Sequence, residues 1–303
     1  MANNIQLVTE MTNIVDEVYR QSAVTTVLEA PSDLVRYSGG KSFKIADMAL
    51  DGLGDYSRQN GYPVGNVTLS WKEYTFTNDR GKCFTVDRMD NEESFGITAS
   101  RLNGDFTRDY MAPEVDAYRF AKIANNAGKT VSAALTKANT EDAVQEALVT
   151  LQEKSVPSSR LLLFVTARVR QGLQQGIDRT VLNGETNIST AVKTYEGVPI
   201  ITVPNDRFYT AITLNTGVPT VSGETTKDAE FGYKKSTTAS DINFILMDRT
   251  ASVNITKLNM LKLFTPDENQ KLDAWQWDYR LYHESFVFNN KKAGIYLHTK
   301  ASS

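Results

Sequence analysis

Residues 122–135 read KIANNAGKTVSAAL, and Gly128-Lys129-Thr130 within them ends the way a phosphate-binding loop ends. In such a loop the lysine reaches the β- and γ-phosphates and the hydroxyl binds magnesium. The chemistry also needs a glycine five positions earlier, so that backbone amides can wrap the phosphates; that position holds Ile123. A phosphate loop must follow a buried strand and open a helix. Here the preceding residues read as the end of a helix. Pro113 fits a first helical turn, and Glu114 and Asp116 suit the positive end of the helix dipole. Ala117, Phe120, Ile123, Ala124 and Ala127 fall on one helical face. Gly128 is expected to cap that helix in the left-handed conformation. The nucleotide reading fails on both sequence and context.

Other reactive types are sparse. The 2 histidines, His283 and His298, sit in no zinc-ligand spacing. His283, beside Glu284, is expected on the polar rim at the start of a strand. Cys83 is the 1 cysteine, which excludes an internal disulfide or a cysteine zinc cluster. Next to Phe84 and Val86 it is expected to be a small buried thiol. Ser38 and Lys41 match Ser-x-x-Lys, but the two glycines between them oppose the helix that would bring them together. No Gly-x-Ser-x-Gly elbow occurs. Trp275, Trp277 and Tyr279 could form a stacking platform. At period two they share one strand face, so a buried sheet face is the preferred reading. No catalytic, cofactor-binding or metal-binding residue is assigned.

The elements must therefore carry the function. The chain has 303 residues and a formal net charge of −3, with no basic stripe of the kind that reads nucleic acid. The opening residues lack the basic cluster and apolar core of a signal peptide. No run approaches the roughly 18 apolar residues of a membrane span. A cytosolic or cytosol-assembled protein is expected, and the Asn-x-Ser/Thr triplets at Asn66, Asn187 and Asn254 are read as chance.

Residues 5–29 are loosely patterned and are expected to form an arm whose partner lies outside its own core. Phe43 and Ile45, and then Val67, Leu69 and Trp71, alternate with polar residues, so two half-buried strands are expected. Between them Gly52, Gly54, Gly61, Pro63 and Gly65 punctuate a connection much longer than the roughly 2–5 residues of an ordinary hairpin loop. An isolated hairpin is marginal in water, so a neighbouring copy of the chain is the natural cover. A helical pattern spans about 92–127, with a kink or break at Ala112-Pro113. A second helix starts with Thr140 as its cap, and Val144, Ala147, Leu148 and Leu151 form its apolar stripe. RLLLFVT, EGVPIITVP and INFILMD read as buried strands of a mixed core, and 214–240 as an exposed loop. ESFVFNNKKAGIYLHT is expected to be a closing hairpin turning at Asn289-Asn290.

The order of these segments is specific. A polar arm precedes the glycine-tipped GLGDYSRQNGYPVGNVTLSWKEYTFTNDRGKCFTVDRMDNEES. There follow APEVDAYRFAKIA, GVPIITVPNDRF, FILMDRTASVNITKLNMLKLFTPDENQ and YRLYHESFVFNNKKAGIYLH. Taken together the chain resembles the major capsid proteins of tailed bacteriophages. The resemblance implies an α+β, Hong Kong 97-like fold. Its parts would be an N-terminal arm at 1–40, an extended loop (E-loop) at 41–82, a peripheral domain with a spine helix at 83–157, an axial domain at 158–266 and peripheral return strands at 267–303. It implies a non-enzymatic coat protein that forms pentamers and hexamers, assembled in a bacterial host cytoplasm and resident in the virion. The shell would enclose double-stranded DNA without reading its sequence. The arm is too short for a built-in scaffolding domain, so either such a domain has been cleaved away or, as the start at Met1 favours, a separate scaffolding protein is expected, with a portal and a head maturation protease. Assembly contacts are expected at Asp51, Asp55, Tyr56, Arg58, Tyr62 and Trp71 of the E-loop. Lysine–asparagine cross-links are not expected, because Lys41 and Lys44 lie near the loop base and Asn205, Asn254 and Asn289 read as surface residues. An encapsulin-like compartment is the alternative, and a monomeric α/β hydrolase or binding protein is the reading from another class.

Overall fold

The computed structural model describes residues 23–29, 42–59, 61–89, 104–136, 138–176, 194–217, 221–222, 225–226 and 231–301. Fifteen strands are described in chain order. Those of the ribbon and its base are β1 (Ser42–Leu50), β2 (Val67–Thr75) and β3 (Asn78–Asp87). The middle of the chain holds β4 (Lys129–Ser132), β5 (Leu161–Thr166), β6 (Thr194–Tyr195), β7 (Val198–Val203), β8 (Ile212–Leu214), β9 (Val221–Ser222), β10 (Thr225–Thr226) and β11 (Tyr233–Lys235). The last four are β12 (Ile242–Asp248), β13 (Ser252–Phe264), β14 (Ala274–Val287) and β15 (Ile295–Thr299). The α-helices are α1 (Ala112–Asn125), α2 (Thr140–Glu153) and α3 (Ala167–Gly176).

A 6-stranded mixed sheet runs β4-β15-β12-β5-β7-β6, and a 3-stranded antiparallel sheet runs β13-β14-β3. The apolar run of β5 is buried along its whole length because both faces of its sheet are covered. Leu162 and Phe164 face Phe120, Ile123 and Ala124 of α1. Leu161, Leu163 and Val165 face Val144, Ala147, Leu148 and Leu151 of α2 and Val169 and Leu173 of α3. The other end of α1 meets the three-stranded sheet, where Ala112 and Val115 pack with Leu261, Leu263, Trp277 and Tyr279. Spanning two sheets leaves α1 little contact with water, so even Asp116 and Arg119 are fully buried. The indole of Trp277 and the ring of Tyr279 are core, as the period-two reading of that strand expects.

Several expectations are corrected. Gly128 does not adopt the left-handed conformation. The C-cap of α1 is Asn126, and a Cβ on Gly128 would lie 2.4 Å from the Lys292 carbonyl oxygen. Glycine is required there by close approach. Gly128→Ala should lower stability by about 1–3 kcal/mol, the usual cost of overpacking; thermal unfolding of the variant checks it. Pro113 does not break its helix. A π-turn over Thr107–Met111 leads into α1, with the Ala112 amide donating to the Thr107 carbonyl, so the ladder continues past the proline. The start of the 92–127 pattern lies outside the described residues. Asn139, not Thr140, is the N-cap of α2, and the Thr140 hydroxyl instead donates to the Thr136 carbonyl at 2.6 Å. The closing segment is no hairpin: β14 lies in one sheet and β15 in the other, and a 3-10 turn over Asn289–Gly294 carries the chain between them. Part of 214–240 lies outside the described residues, but β8 and β11 pair at its base.

The arm is also corrected where it is described. Thr25 and Leu28 are buried in this chain's own core. The Asp116 carboxylate accepts from the Val24 amide at 3.0 Å, the Thr25 amide at 3.0 Å and the Thr25 hydroxyl at 2.7 Å, and from Arg207 Nη1 at 3.2 Å. Arg119 donates to Thr25 Oγ1 and to Glu29 Oε1, each at 3.0 Å. A loose apolar pattern concealed this anchor because its binding groups are polar ones on α1.

Candidate assembly surface

Strands β1 and β2 form a ribbon and, among the described residues, bond only to each other, in a 2-stranded sheet. Its register runs from Ser42 opposite Thr75 to Leu50 opposite Val67. Val67, Leu69 and Trp71 lie on one face by strand alternation, and all three side chains are exposed, as is Leu50 beside them. Burying such side chains is worth about 1.5–3 kcal/mol each. The ribbon thus presents an exposed apolar stripe that no described element of the chain covers.

Between the strands, the described residues 51–59 and 61–66 are tied together. Asp51 accepts from the Asn66 amide at 2.8 Å and closes the neck. Ser57 and Gly61 exchange backbone hydrogen bonds of 3.1 and 2.8 Å, and Gly61 takes φ +76°, a conformation that favours glycine. The rings of Tyr56 and Tyr62 stand 4.9 Å apart between centroids. Leu53 and Val64 are 107% and 99% exposed. Asp55, Tyr56, Arg58 and Tyr62 therefore lie in the connection beyond the neck, all exposed, while Asp51 stands at the neck itself and Trp71 apart on the ribbon face.

Sequence reasoning missed what aims the ribbon. At its base Phe76 is buried against Phe286 and Tyr282, with ring centroids 5.6 and 5.4 Å away. The Tyr282 hydroxyl donates to the Phe76 carbonyl at 3.2 Å. Next to it the buried Glu284 carboxylate accepts from the Thr77 amide at 3.0 Å, the Thr77 hydroxyl at 2.6 Å and the Tyr118 hydroxyl at 2.5 Å. Lys122 Nζ lies 3.5 Å from the same carboxylate. Burial, and then the Glu284 acceptor, push the Tyr118 phenol far above its ordinary range and keep it a donor. These bonds fix the residues between β2 and β3, and so the direction in which the ribbon leaves the body. Phe76 and Phe286 carry the signal in the sequence; the partners of Glu284 are set only by tertiary structure.

The reactive types are disposed otherwise than expected. Cys83 is exposed, on the outward side of β3, and burial together with the neighbouring Asp278 pushes its thiol up to about 11, which disfavours thiolate chemistry. His283 is not on a rim. It is buried within β14, with Nε2 2.9 Å from Asn78 Nδ2 and its ring edge-on to Tyr118. Burial lowers its pKa to about 3, aided by the Arg119 and Arg80 charges. His298, also buried, is lowered by desolvation first. Asn254 is buried as well, which removes it from the surface and from glycosylation. Ser38 and Lys41 lie outside the described residues.

A histidine held neutral in the fold but protonated in the unfolded chain destabilises on acidification. The contribution of His283 is complete above about pH 6.5, the ordinary value, and is lost toward pH 3. Stability should fall across that window at up to roughly 1.4 kcal/mol per pH unit from this residue. His283→Gln should flatten the slope in denaturant titrations at several pH values.

No described helix is long and apolar enough to cross a membrane. No protein-family model and no curated protein matches the sequence. Solved structures do. The capsid of cyanophage P-SCSP1u aligns with a TM-score of 0.60 at 14% identity, over 88% of this chain and 85% of that one. The mature capsid of bacteriophage PhiM1 aligns with a TM-score of 0.60 at 13% identity, over 88% and 84%. A virus-like particle from Pyrococcus furiosus aligns less well, with a TM-score of 0.51 at 10% identity, over 93% and 98%. The chain has the Hong Kong 97-like fold of phage capsid proteins.

Proposed function

We propose that this chain is the major coat protein of a tailed-phage head. Copies assemble as pentamers and hexamers into a closed shell around double-stranded DNA, and the role is structural rather than enzymatic. The observation that carries the reading is the exposed apolar ribbon on a capsid fold: Leu50, Leu53, Val64, Val67, Leu69 and Trp71 are exposed and belong to no core cluster of the described residues. Repeated weak contacts of this kind add up in a closed lattice, where each copy holds several neighbours at once. In this reading the E-loop, with Asp51, Asp55, Tyr56, Arg58, Tyr62 and Trp71, is the clasp between copies. The buried Phe76–Glu284 base aims it. A separate scaffolding protein, a portal and a maturation protease are the partners that such a head requires, and the virion is its location.

The test is electron microscopy of particles from cells expressing the full chain with the products of neighbouring head genes, followed by nuclease treatment and extraction. Closed shells holding nuclease-protected DNA support the reading. Shells filled with one protein cargo and no DNA favour the compartment alternative, and a chain that never leaves the monomer rejects both.

A further inference from the structure

One face of the three-stranded sheet is polar although it is buried. β13 and β14 pair Thr256 with His283, Asn254 with Ser285 and Ser252 with Val287, and strand alternation puts these side chains in one row. Asn254 and His283 are each 1% exposed, Ser252 2% and Ser285 5%. Two other elements meet this row. The Glu29 backbone, at the end of the arm segment, bridges Asn254. From α1 the fully buried Arg119 brings Nη2 to 3.4 Å from Thr256 Oγ1. At one end Val287 packs with Leu28 in the apolar core, and at the other the Tyr118 ring stands edge-on to His283. Ser252 Oγ, Asn254 Nδ2 and Oδ1, Ser285 Oγ, His283 Nδ1 and Arg119 Nε are all buried and find no hydrogen-bond partner among the described residues. Native proteins satisfy nearly all such atoms, with protein groups or with ordered water.

We propose that this row is a binding site for about two or three internal water molecules, which complete the contact between the small sheet and the Val24–Glu29 segment. The mixture of donors and acceptors identifies the ligand. Asn78 Nδ2 can only donate, so His283 Nε2 accepts from it at 2.9 Å and the neutral ring carries its proton on Nδ1. That proton and the Arg119 Nε proton need acceptors, and Asn254 Oδ1 needs a donor. The serine hydroxyls serve either way. An anion cannot satisfy Asn254 Oδ1, and a metal cation cannot satisfy the two N–H groups; water does both. No net charge calls for an ion, because burial keeps His283 neutral and Arg119 pairs with Glu29 at 3.0 Å. Successive levels of the row lie about 7 Å apart along the strands, a separation that a bridging water spans. The Glu29 side chain is partly exposed, so one ion pair separates the guanidinium from solvent. The site belongs to a single chain and does not depend on assembly.

The experiment is a density map of the full chain at about 2 Å, from a crystal or from particles, for the wild type, Asn254→Leu and Ser285→Ala. The expected result is wild-type peaks within about 3.2 Å of Asn254 and of Ser285, with the first lost in Asn254→Leu. If Asn254→Leu does not fold, the smaller change carries the comparison: Ser285→Ala should remove or shift the peak beside Ser285 and leave the one beside Asn254. A wild-type map that shows waters elsewhere in the core but no peak beside Asn254 overturns the proposal. So does a peak that bromide replaces, since it marks an anion, and so do peaks that stay unchanged in the variants.

Discussion

Deleting Asp51–Val64, and closing the ribbon with a two-residue turn, should leave the thermal midpoint of the isolated chain within a few degrees of its original value while abolishing shell formation. The reason is the separation of the ribbon from the core. β1 and β2 pair only with each other, and the ribbon joins the body through the Phe76 aromatic cluster and Glu284, both of which the deletion retains. The core around α1, α2 and the six-stranded sheet loses no packed side chain. The tip, in contrast, supplies Leu53, Tyr56, Tyr62 and Val64, all of them exposed. At about 1.5–3 kcal/mol for each large apolar side chain buried, losing them removes several kcal/mol from every contact they make. A shell multiplies that loss over each copy. The measurements are calorimetry for the core and sedimentation velocity for assembly. Normal shells from the deletion would end the clasp reading, whereas a collapsed midpoint would place the tip in the chain's own core.

Asp116→Ala should destabilise the folded chain by about 3–5 kcal/mol, the usual cost of breaking a buried ion pair by removing one partner. Asp116 is fully buried, holds Arg207 at 3.2 Å and satisfies both the amide and the hydroxyl of Thr25. Its removal leaves those donors in a place where water cannot replace the acceptor. Released from Asp116, the segment Val24–Leu28 should become sensitive to protease, because of its polar ties to α1 only those to Arg119 would then remain. Asp116→Asn keeps an acceptor and should cost less. Chemical denaturation and limited proteolysis of both variants check the pair of claims. Equal stability and unchanged cleavage in Asp116→Ala would show that the arm is held by Leu28 and its apolar neighbours instead.

The sequence was informative where one periodicity governed a whole element. The stripe of α2 and the buried strands β5 and β12 of the large sheet fall where their patterns put them, whereas β7 forms in place but is only partly buried. The ribbon was legible too, because its alternation ends at glycines that only a long connection would need. What was not legible depends on long-range contact. Gly128 reads as a helix cap from its neighbours in sequence, yet its constraint comes from the Lys292 carbonyl in a distant turn. Asn289-Asn290 reads as a hairpin turn, yet β13 and β3 have already taken both edges of β14, so β15 must pair elsewhere. His283 and Cys83 were exchanged between surface and core. Local composition does not say which face of β14 meets Tyr118, or that Cys83 of β3 points away from the body. The exposed residues of the connection between β1 and β2 were readable as a group. Their anchor at Phe76, Thr77 and Glu284 was not, since no local pattern marks a carboxylate that serves two strands and a helix.

The account stands on the ribbon finding its cover in another copy of the same chain. Sedimentation velocity of the purified full chain over a hundredfold range of concentration, with and without the scaffolding protein proposed above, tests this most directly. Pentamers, hexamers or closed shells are the expected species, their share rising with concentration. A single monomer boundary under every condition would contradict the account.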